Sequence, residues 1–262
     1  TSYLSNSSDN RQISHVYATV PSQVRRRDTG KVLPDGPRRY CLAGADGHFR
    51  VGHEVCVGKK RAQRPSLYRR IHNEQAAPIF CAGFTVWSGF RIAEPEPGDR
   101  VAVVGVGGLG HLGVQFAKAA GHETIAVTHS KDKEKMLRQL GVDHVVADGD
   151  GLQKAGGADV ILVTGNSWKA AGDAMKALRP QGRVVLMGVS GDPLQVPVSL
   201  LFVEGKILGS SQNDPEHLYE ALDFVARGKV KVVTETYSLD EIGKAYDRVE
   251  KGEVRFRAVI KP

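Results

Sequence analysis

The residues best suited to chemistry form a glycine-rich turn, Gly105-Val106-Gly107-Gly108-Leu109-Gly110. At this spacing Gly105 permits a tight turn and Gly107 lets the backbone approach a pyrophosphate. Gly110 lets a following helix pack close to its strand, and the free N–H groups at the helix start face the phosphate oxygens. Glycine turns also serve structure alone, so the flanks decide the reading. Residues 101–104 are an apolar run that reads as a buried parallel strand, and Leu109, Leu112, Phe116 and Ala120 follow at near-helical spacing. Strand, turn and helix together predict a dinucleotide site. A second group, Thr128-His129-Ser130-Lys131, ends the next apolar run. Users of NAD carry an acid there for the adenosine ribose hydroxyls. Thr128 takes that place, and a hydroxyl with two potential cations suits a 2′-phosphate. The expectation is NADP, with NAD as the alternative. The same four residues would also serve as an ordinary polar turn opening a helix.

The elements that must position these groups alternate. Strands are expected at 101–104, 124–128, 144–147, 159–164, 183–188 and 206–210, with helices at 131–140, 168–178 and 215–228. That alternation is the pattern of an α/β doubly wound parallel sheet, with strand order 3-2-1-4-5-6 and the ligand across the carboxyl ends of the strands. Before it, Glu74-Gln-Ala-Ala-Pro-Ile-Phe-Cys-Ala-Gly-Phe-Thr-Val-Trp reads as a helix running toward the sheet. After it, residues 232–262 read as strand, helix from 239 to 251, and final strand. The domain reading is 1–74, largely irregular with a short strand at 49–57; 75–229, the dinucleotide-binding domain; and 230–262, a segment that leaves the sheet domain to complete another.

Composition narrows the classes of function. The 262 residues are 41% hydrophobic, and no apolar run approaches the length of a membrane span. The first residues show no basic region followed by an apolar core, so no signal peptide is expected. The chain has three cysteines, Cys41, Cys56 and Cys81. That number argues against a disulfide framework and for a reducing, cytoplasmic setting. The net charge of +7 is local: residues 1–74 hold 14 of the 36 Lys and Arg and 6 of the 29 Asp and Glu, leaving 22 basic and 23 acidic residues elsewhere. A near-neutral body argues against specific nucleic-acid binding.

From Asn73 onward the chain resembles the zinc-dependent, medium-chain alcohol dehydrogenases, nearest the cinnamyl-alcohol-dehydrogenase-like branch. The phrases that carry the resemblance are Ala76-Ala-Pro-Ile-Phe-Cys-Ala-Gly-Phe-Thr-Val-Trp, Gly98-Asp-Arg-Val, Val104-Gly-Val-Gly-Gly-Leu-Gly-His-Leu-Gly, Leu186-Met-Gly-Val-Ser, Leu208-Gly-Ser-Ser-Gln-Asn and Asp247-Arg-Val-Glu-Lys-Gly-Glu-Val-Arg-Phe-Arg-Ala-Val-Ile. The resemblance implies a six-stranded Rossmann sheet, with residues 1–74 a truncated or aberrant remnant of a GroES-like catalytic domain. It implies hydride transfer between a nicotinamide and a primary alcohol or aldehyde, with zinc as Lewis acid.

By the same resemblance Cys81 is a zinc ligand. Gly52-His53-Glu54 spells the family's Gly-His-Glu motif, which makes His53 a zinc ligand with Cys41 upstream as the third, and implies Cys81, His53 and Glu54 as catalytic residues. The family's four-cysteine lobe is missing, so no structural zinc is expected. Thr164, Gly165, Gly188, Val189, Ser190, Ser210, Ser211 and Gln212 would line the nicotinamide half, and Arg257 would contact the pyrophosphate. Family pairing through the sixth strand implies a homodimer. Two other functions stay open: a catalytically silent dinucleotide-binding domain, and a zinc-free quinone reductase of the same superfamily.

Overall fold

The structure, a computed structural model, describes residues 17–18 and 71–261. Cys41, His53 and Glu54, and the readings of residues 1–74 as irregular and 49–57 as a strand, lie outside them. The described chain builds a central parallel sheet and a small lateral one that includes the two-residue strand β1 (Tyr17–Ala18).

The central sheet holds β2 (Arg100–Val104), β3 (Glu123–Val127), β4 (His144–Val146), β5 (Ala158–Val163), β6 (Leu178–Leu186) and β7 (Lys206–Gly209), in the order β4-β3-β2-β5-β6-β7. Every pairing is parallel. Counted from β2, that is the 3-2-1-4-5-6 order expected from the sequence. The central strands β2 and β5 and the second half of β3 are apolar because both sheet faces are covered there. Val101, Val103, Val160 and Leu162 enter one core, beneath α1 (Ala82–Ile92), α2 (Gly110–Ala119) and α6 (Pro215–Ala226). Ala102, Val104, Ile161 and Val163 enter the other, beneath α4 (Gly149–Lys154) and α5 (Trp168–Met175). α3 (Glu134–Gln139) links β3 to β4.

Aromatic packing ties the first layer. Trp87 stacks on Phe90 at 5.1 Å and meets the edge of Phe224 at 4.8 Å, and Phe116 meets Phe224 at 5.7 Å. The Trp87 indole donates to Glu220 at 2.6 Å.

The lateral sheet runs β1-β9-β8, with β8 (Thr234–Ser238) and β9 (Arg257–Lys261) parallel. α7 (Ile242–Glu250) covers it through Ala245 and Val249, against Tyr237, Ala258 and Ile260.

Several boundaries differ from the sequence reading. The apolar stretch before Trp87 is broken: a single turn at Asn73–Ala76, a 3-10 turn at Ala77–Phe80 around Pro78, and then α1. The predicted 131–140 helix begins as the 3-10 turn Lys131–Lys133. α5 ends at Met175 rather than 178, and β6 begins at Leu178 rather than 183. The exposed Arg179-Pro180-Gln181 hides that strand start, and the backbone bulges there, with Gln181 at φ +58. α4 was not anticipated, because Gly149 and Gly151 lower helix propensity. Its signal is Asp148, whose carboxylate accepts from Gly151 N–H at 2.8 Å as an N-cap. Among the described residues no helix is long and apolar enough to cross a membrane.

Phe116 is fully buried at the junction of α1, α2 and α6. Phe116→Ala is expected to lower unfolding stability by about 3–5 kcal/mol, read as a lower urea midpoint without loss of the two-state transition.

Candidate functional site

The strand ends on the carboxyl side are stitched into one rim. Thr128 N–H donates to Val146 O, Gly105 N–H to Val127 O, Gly165 N–H to Val104 O, Gly188 N–H to Val163 O, and Ser210 N–H to Leu186 O, each at 2.9–3.1 Å. Residues far apart in sequence therefore stand side by side. The order in which the chain adds strands reverses between β2 and β5, which opens the crevice where ligands of such folds bind.

The glycines have different tasks. Gly105 has φ +87, in the left-handed region, and a Cβ there would lie 2.6 Å from Gly165 Cα. A Cβ on Gly110 would lie 2.6 Å from Gly105 O and 2.9 Å from Thr164 Oγ1, so the close contact it permits is with the turn itself. Gly113 brings α2 onto α1 and β2, with Val86 and Val103 as neighbours. Gly107 faces open space. No side chain caps α2 at Leu109, and the His111 and Leu112 N–H groups are already given to Gly107 O and Leu109 O, so an anion at this helix start would be met by the amides before them. Thr164 Oγ1 lies 2.8 Å from Gly105 O and 3.1 Å from Val104 O, which pins the turn to β5.

The far side of the turn is closed by the returning C-terminal segment. Arg257, buried, packs its guanidinium where a side chain on Gly108 would stand. His111, also buried, stacks on Phe256 at 4.7 Å with the rings 14° apart. Its Nδ1 lies 3.2 Å from Gly107 O, and Val233 N–H reaches its Nε2 at 3.4 Å. A carbonyl can only accept, so Nδ1 carries the proton and Nε2 accepts. Burial, and then the nearby Arg257 charge, lower the His111 pKa to about 3.

Next to the turn, Thr128 lies one residue past β3 and its Oγ1 accepts from Ser130 N–H at 3.3 Å, while His129 is exposed. Lys131 opens the 3-10 turn. Lys133, two residues on, reaches the glycine turn: its Nζ donates to Val106 O at 3.3 Å and lies 5.8 Å from the Phe256 ring. Burial, and then the Arg255 guanidinium, hold the Lys133 ammonium below its ordinary range. Arg255 pairs with Asp132 at 2.6 Å. Sequence reasoning missed Lys133 and His111. Lys133 falls inside the helix expected over 131–140, and His111 inside the helix expected after the glycine turn, and nothing in either pattern points to the turn.

Along the rim lies a cleft of about 250 Å³ lined by Cys81, Thr85, Leu109, Leu186, Met187, Gly188, Val189, Ser210 and Ser211. It gathers six positions singled out in the sequence, from four separate segments. Cys81 sits at the start of α1, half-buried, with Thr85 one turn further. Gly188 is obligatory, since a Cβ there would collide with the Gly165 carbonyl. The Gln212 amide donates to Phe80 O at 3.3 Å, and Asn213 N–H donates to the buried Ser88 Oγ at 3.4 Å, which moors this wall to α1. Ser190 bonds within its own loop instead, accepting from Asp192 N–H at 3.2 Å. Among the described residues no three His, Cys, Asp or Glu side chains converge on a metal position.

A family model described as zinc-binding dehydrogenase matches residues 108–227. An alcohol dehydrogenase of Geobacillus stearothermophilus is 35% identical over 244 residues, 90% of this chain and 68% of that protein. Among solved structures, a cinnamyl alcohol dehydrogenase from Sorghum bicolor superposes with a TM-score of 0.66 at 32% identity, over 73% of this chain and 56% of that one. The CAD of Helicobacter pylori, solved in complex with NADP(H), gives a TM-score of 0.60 at 26% identity over 70% of this chain and 54% of that one.

The buried histidine makes stability pH-dependent. Below its ordinary pKa of 6.5 the unfolded chain takes up a proton that the folded chain refuses until about pH 3. This contribution is whole above 6.5 and is lost as pH falls toward 3. Between pH 7 and 5 it amounts to about 2 kcal/mol, expected as a falling urea midpoint whose slope is shallower in His111→Asn.

Proposed function

Because the chain belongs to the alcohol dehydrogenase family of zinc-binding dehydrogenases, we propose that it transfers hydride between NADP(H) and a primary alcohol or its aldehyde. The observation that carries the reading is the single cleft in which Cys81 and Thr85 face Leu109, Gly188, Val189, Ser210 and Ser211. It lies beside a glycine turn whose open side offers backbone amides.

The described residues fit a dinucleotide. Gly107 leaves room for a pyrophosphate at the start of α2, and Arg257 brings a positive charge to the same turn. Gly188, Ser210 and Ser211 form a wall of small residues against which a flat ring can lie, with Gly165 packed behind Gly188. The nicotinamide supplies the hydride chemistry when bound. The chain's own contribution is placement: Gly188 and Met187 hold the wall, and Thr85 and Cys81 bound the side from which substrate enters.

Preference for NADP is supported by the β3 end. Thr128, Ser130 and the Lys133 ammonium surround the place beyond the strand, and the nearby carboxylate of Asp132 is engaged by Arg255. The described residues alone do not fit zinc, since Cys81 is the one thiol among them and no cluster of ligands forms. A zinc centre here would draw Cys41 and His53 from outside the described residues.

A homodimer is part of the same proposal. β7 ends the sheet with an open edge, and Val198, Leu201 and Phe202 beside it are exposed by 68%, 78% and 83%. A run of apolar side chains at an unpaired edge suits pairing with a second copy. Light scattering is expected to give twice the chain mass, and Phe202→Glu the mass of one chain.

Calorimetric titration with NADPH and NADH, together with zinc analysis and an aldehyde-reduction assay, tests the reaction. Expected are tighter binding of NADPH, aldehyde-dependent NADPH oxidation, and zinc that is lost in Cys81→Ser. Lys133→Ala is expected to weaken NADPH about ten- to hundredfold and NADH far less. Cofactor binding without zinc or turnover points to a silent domain. Turnover of quinones without zinc points to a quinone reductase.

A further inference from the structure

α2 starts on the glycine turn, and its side chains also hold the segment leading into β8. Three polar contacts make that second junction. Gln115 Nε2 donates to Lys231 O at 2.9 Å, Lys231 N–H donates to Gln115 Oε1 at 2.8 Å, and Val233 N–H donates to His111 Nε2 at 3.4 Å. Side chains of a helix here do what backbone groups of a neighbouring strand do elsewhere. His111 differs from Gln115 in that its other ring nitrogen reaches back to the phosphate turn, donating to Gly107 O at 3.2 Å. Its face carries Phe256, the residue before Arg257, which lies against Gly108.

We propose that His111 is a positioning residue for the cofactor: one imidazole sets the orientation of the Gly107 peptide and, through its other edge, the seat of the segment that brings Phe256 and Arg257 to the turn. The inference rests on the reading of Gly105 to Gly110 as a pyrophosphate turn.

The chemistry of the site asks for histidine. Gly107 O takes the His111 backbone N–H at 3.1 Å and has room for a second donor, which the ring supplies at 3.2 Å, while Val233 N–H needs an acceptor on the opposite edge of the same flat group, which also stacks on a phenyl ring. Neutral imidazole supplies a donor and an acceptor across its ring, and the protonated form would lose the acceptor. The ring has no exposed surface, so water cannot stand in for either bond. A tilt of the Gly107 peptide changes the direction of the amides that follow it, and charge-assisted bonds to phosphate depend on that direction. Phenylalanine at position 111 would keep the stack and lose both hydrogen bonds. Asparagine would keep a donor within reach of Gly107 O, four residues back along the chain.

Calorimetric titration of the full chain with NADPH, and with ADP as a pyrophosphate probe lacking nicotinamide, tests this. His111→Phe is expected to weaken both ligands by about tenfold, and His111→Asn to recover most of the loss. A His111→Phe protein that binds both as tightly as wild type overturns the proposal, even where its melting temperature falls. So does a His111→Asn protein no better than His111→Phe. Should neither variant fold, ¹⁵N NMR of the wild-type histidines decides. The expected signature is an Nδ1–H tautomer that persists from pH 8 to pH 5 and shifts on adding ADP, and signals unmoved by ADP overturn the role. Wild-type protein that binds neither NADPH nor ADP overturns the dinucleotide reading instead.

Discussion

The ends of β2 and β5 meet backbone to backbone, with the position of a Cβ on Gly105 only 2.6 Å from Gly165 Cα. No side chain fits between them, and the left-handed φ of +87 at Gly105 suits glycine alone. Much of the cleft follows from that approach. It lets the Thr164 hydroxyl reach two carbonyls of the neighbouring strand end, and it puts Gly188 against the Gly165 carbonyl. Close packing of bare backbone at the switch point is pinned by its own hydrogen bonds, Gly105 N–H to Val127 O and Gly107 N–H to Gly105 O. A ligand site made of backbone is rigid for the same reason that the core beneath it is: its groups have no rotamers to lose.

The second determinant is the return of the chain. After α7, the residues from Arg255 to Arg257 come back across the turn and place two guanidinium groups and a phenyl ring beside it. With Lys133 this makes a cationic margin along a crevice that already presents amide dipoles. Lys133 is held where its charge is costly, and such a charge is relieved when an anion arrives. The electrostatics of the site is therefore shared between two sheets, and neither element that carries a cation is adjacent in sequence to the glycines.

How far the sequence reveals this depends on the range of the interaction. The buried strands were legible because Val101, Ala102, Val103 and Val104 must be apolar on both faces, and their order follows from connection rules. The glycine turn was legible because its requirements are local. The start of β6 was not, since Arg179, Pro180 and Gln181 read as a loop and bulge between Leu178 and Arg183, the residues that pair with β5. The role of His111 was not legible either: its partners Gly107, Val233 and Phe256 lie 4, 122 and 145 positions away, and periodicity reports none of the distant ones. Cys81, Gly188 and Ser210 could be singled out one by one, but only the folded rim shows that they share one cleft.

The two helical layers have an optical consequence. The chain contains two tryptophans, and they fall on opposite faces of the sheet: Trp87 in the aromatic cluster of α1, α2 and α6, Trp168 at the start of α5. Trp87 is 5% exposed and answers to the packing of the first layer. Trp168 donates its indole N–H to Ser190 O at 3.2 Å, on the loop just beyond the cleft wall of Gly188 and Val189. The protein thus carries a built-in pair of fluorophores, one reporting the integrity of the core and the other the posture of the rim. Replacing either by phenylalanine leaves a single-tryptophan chain in which core folding and the environment of the rim are observed as separate signals.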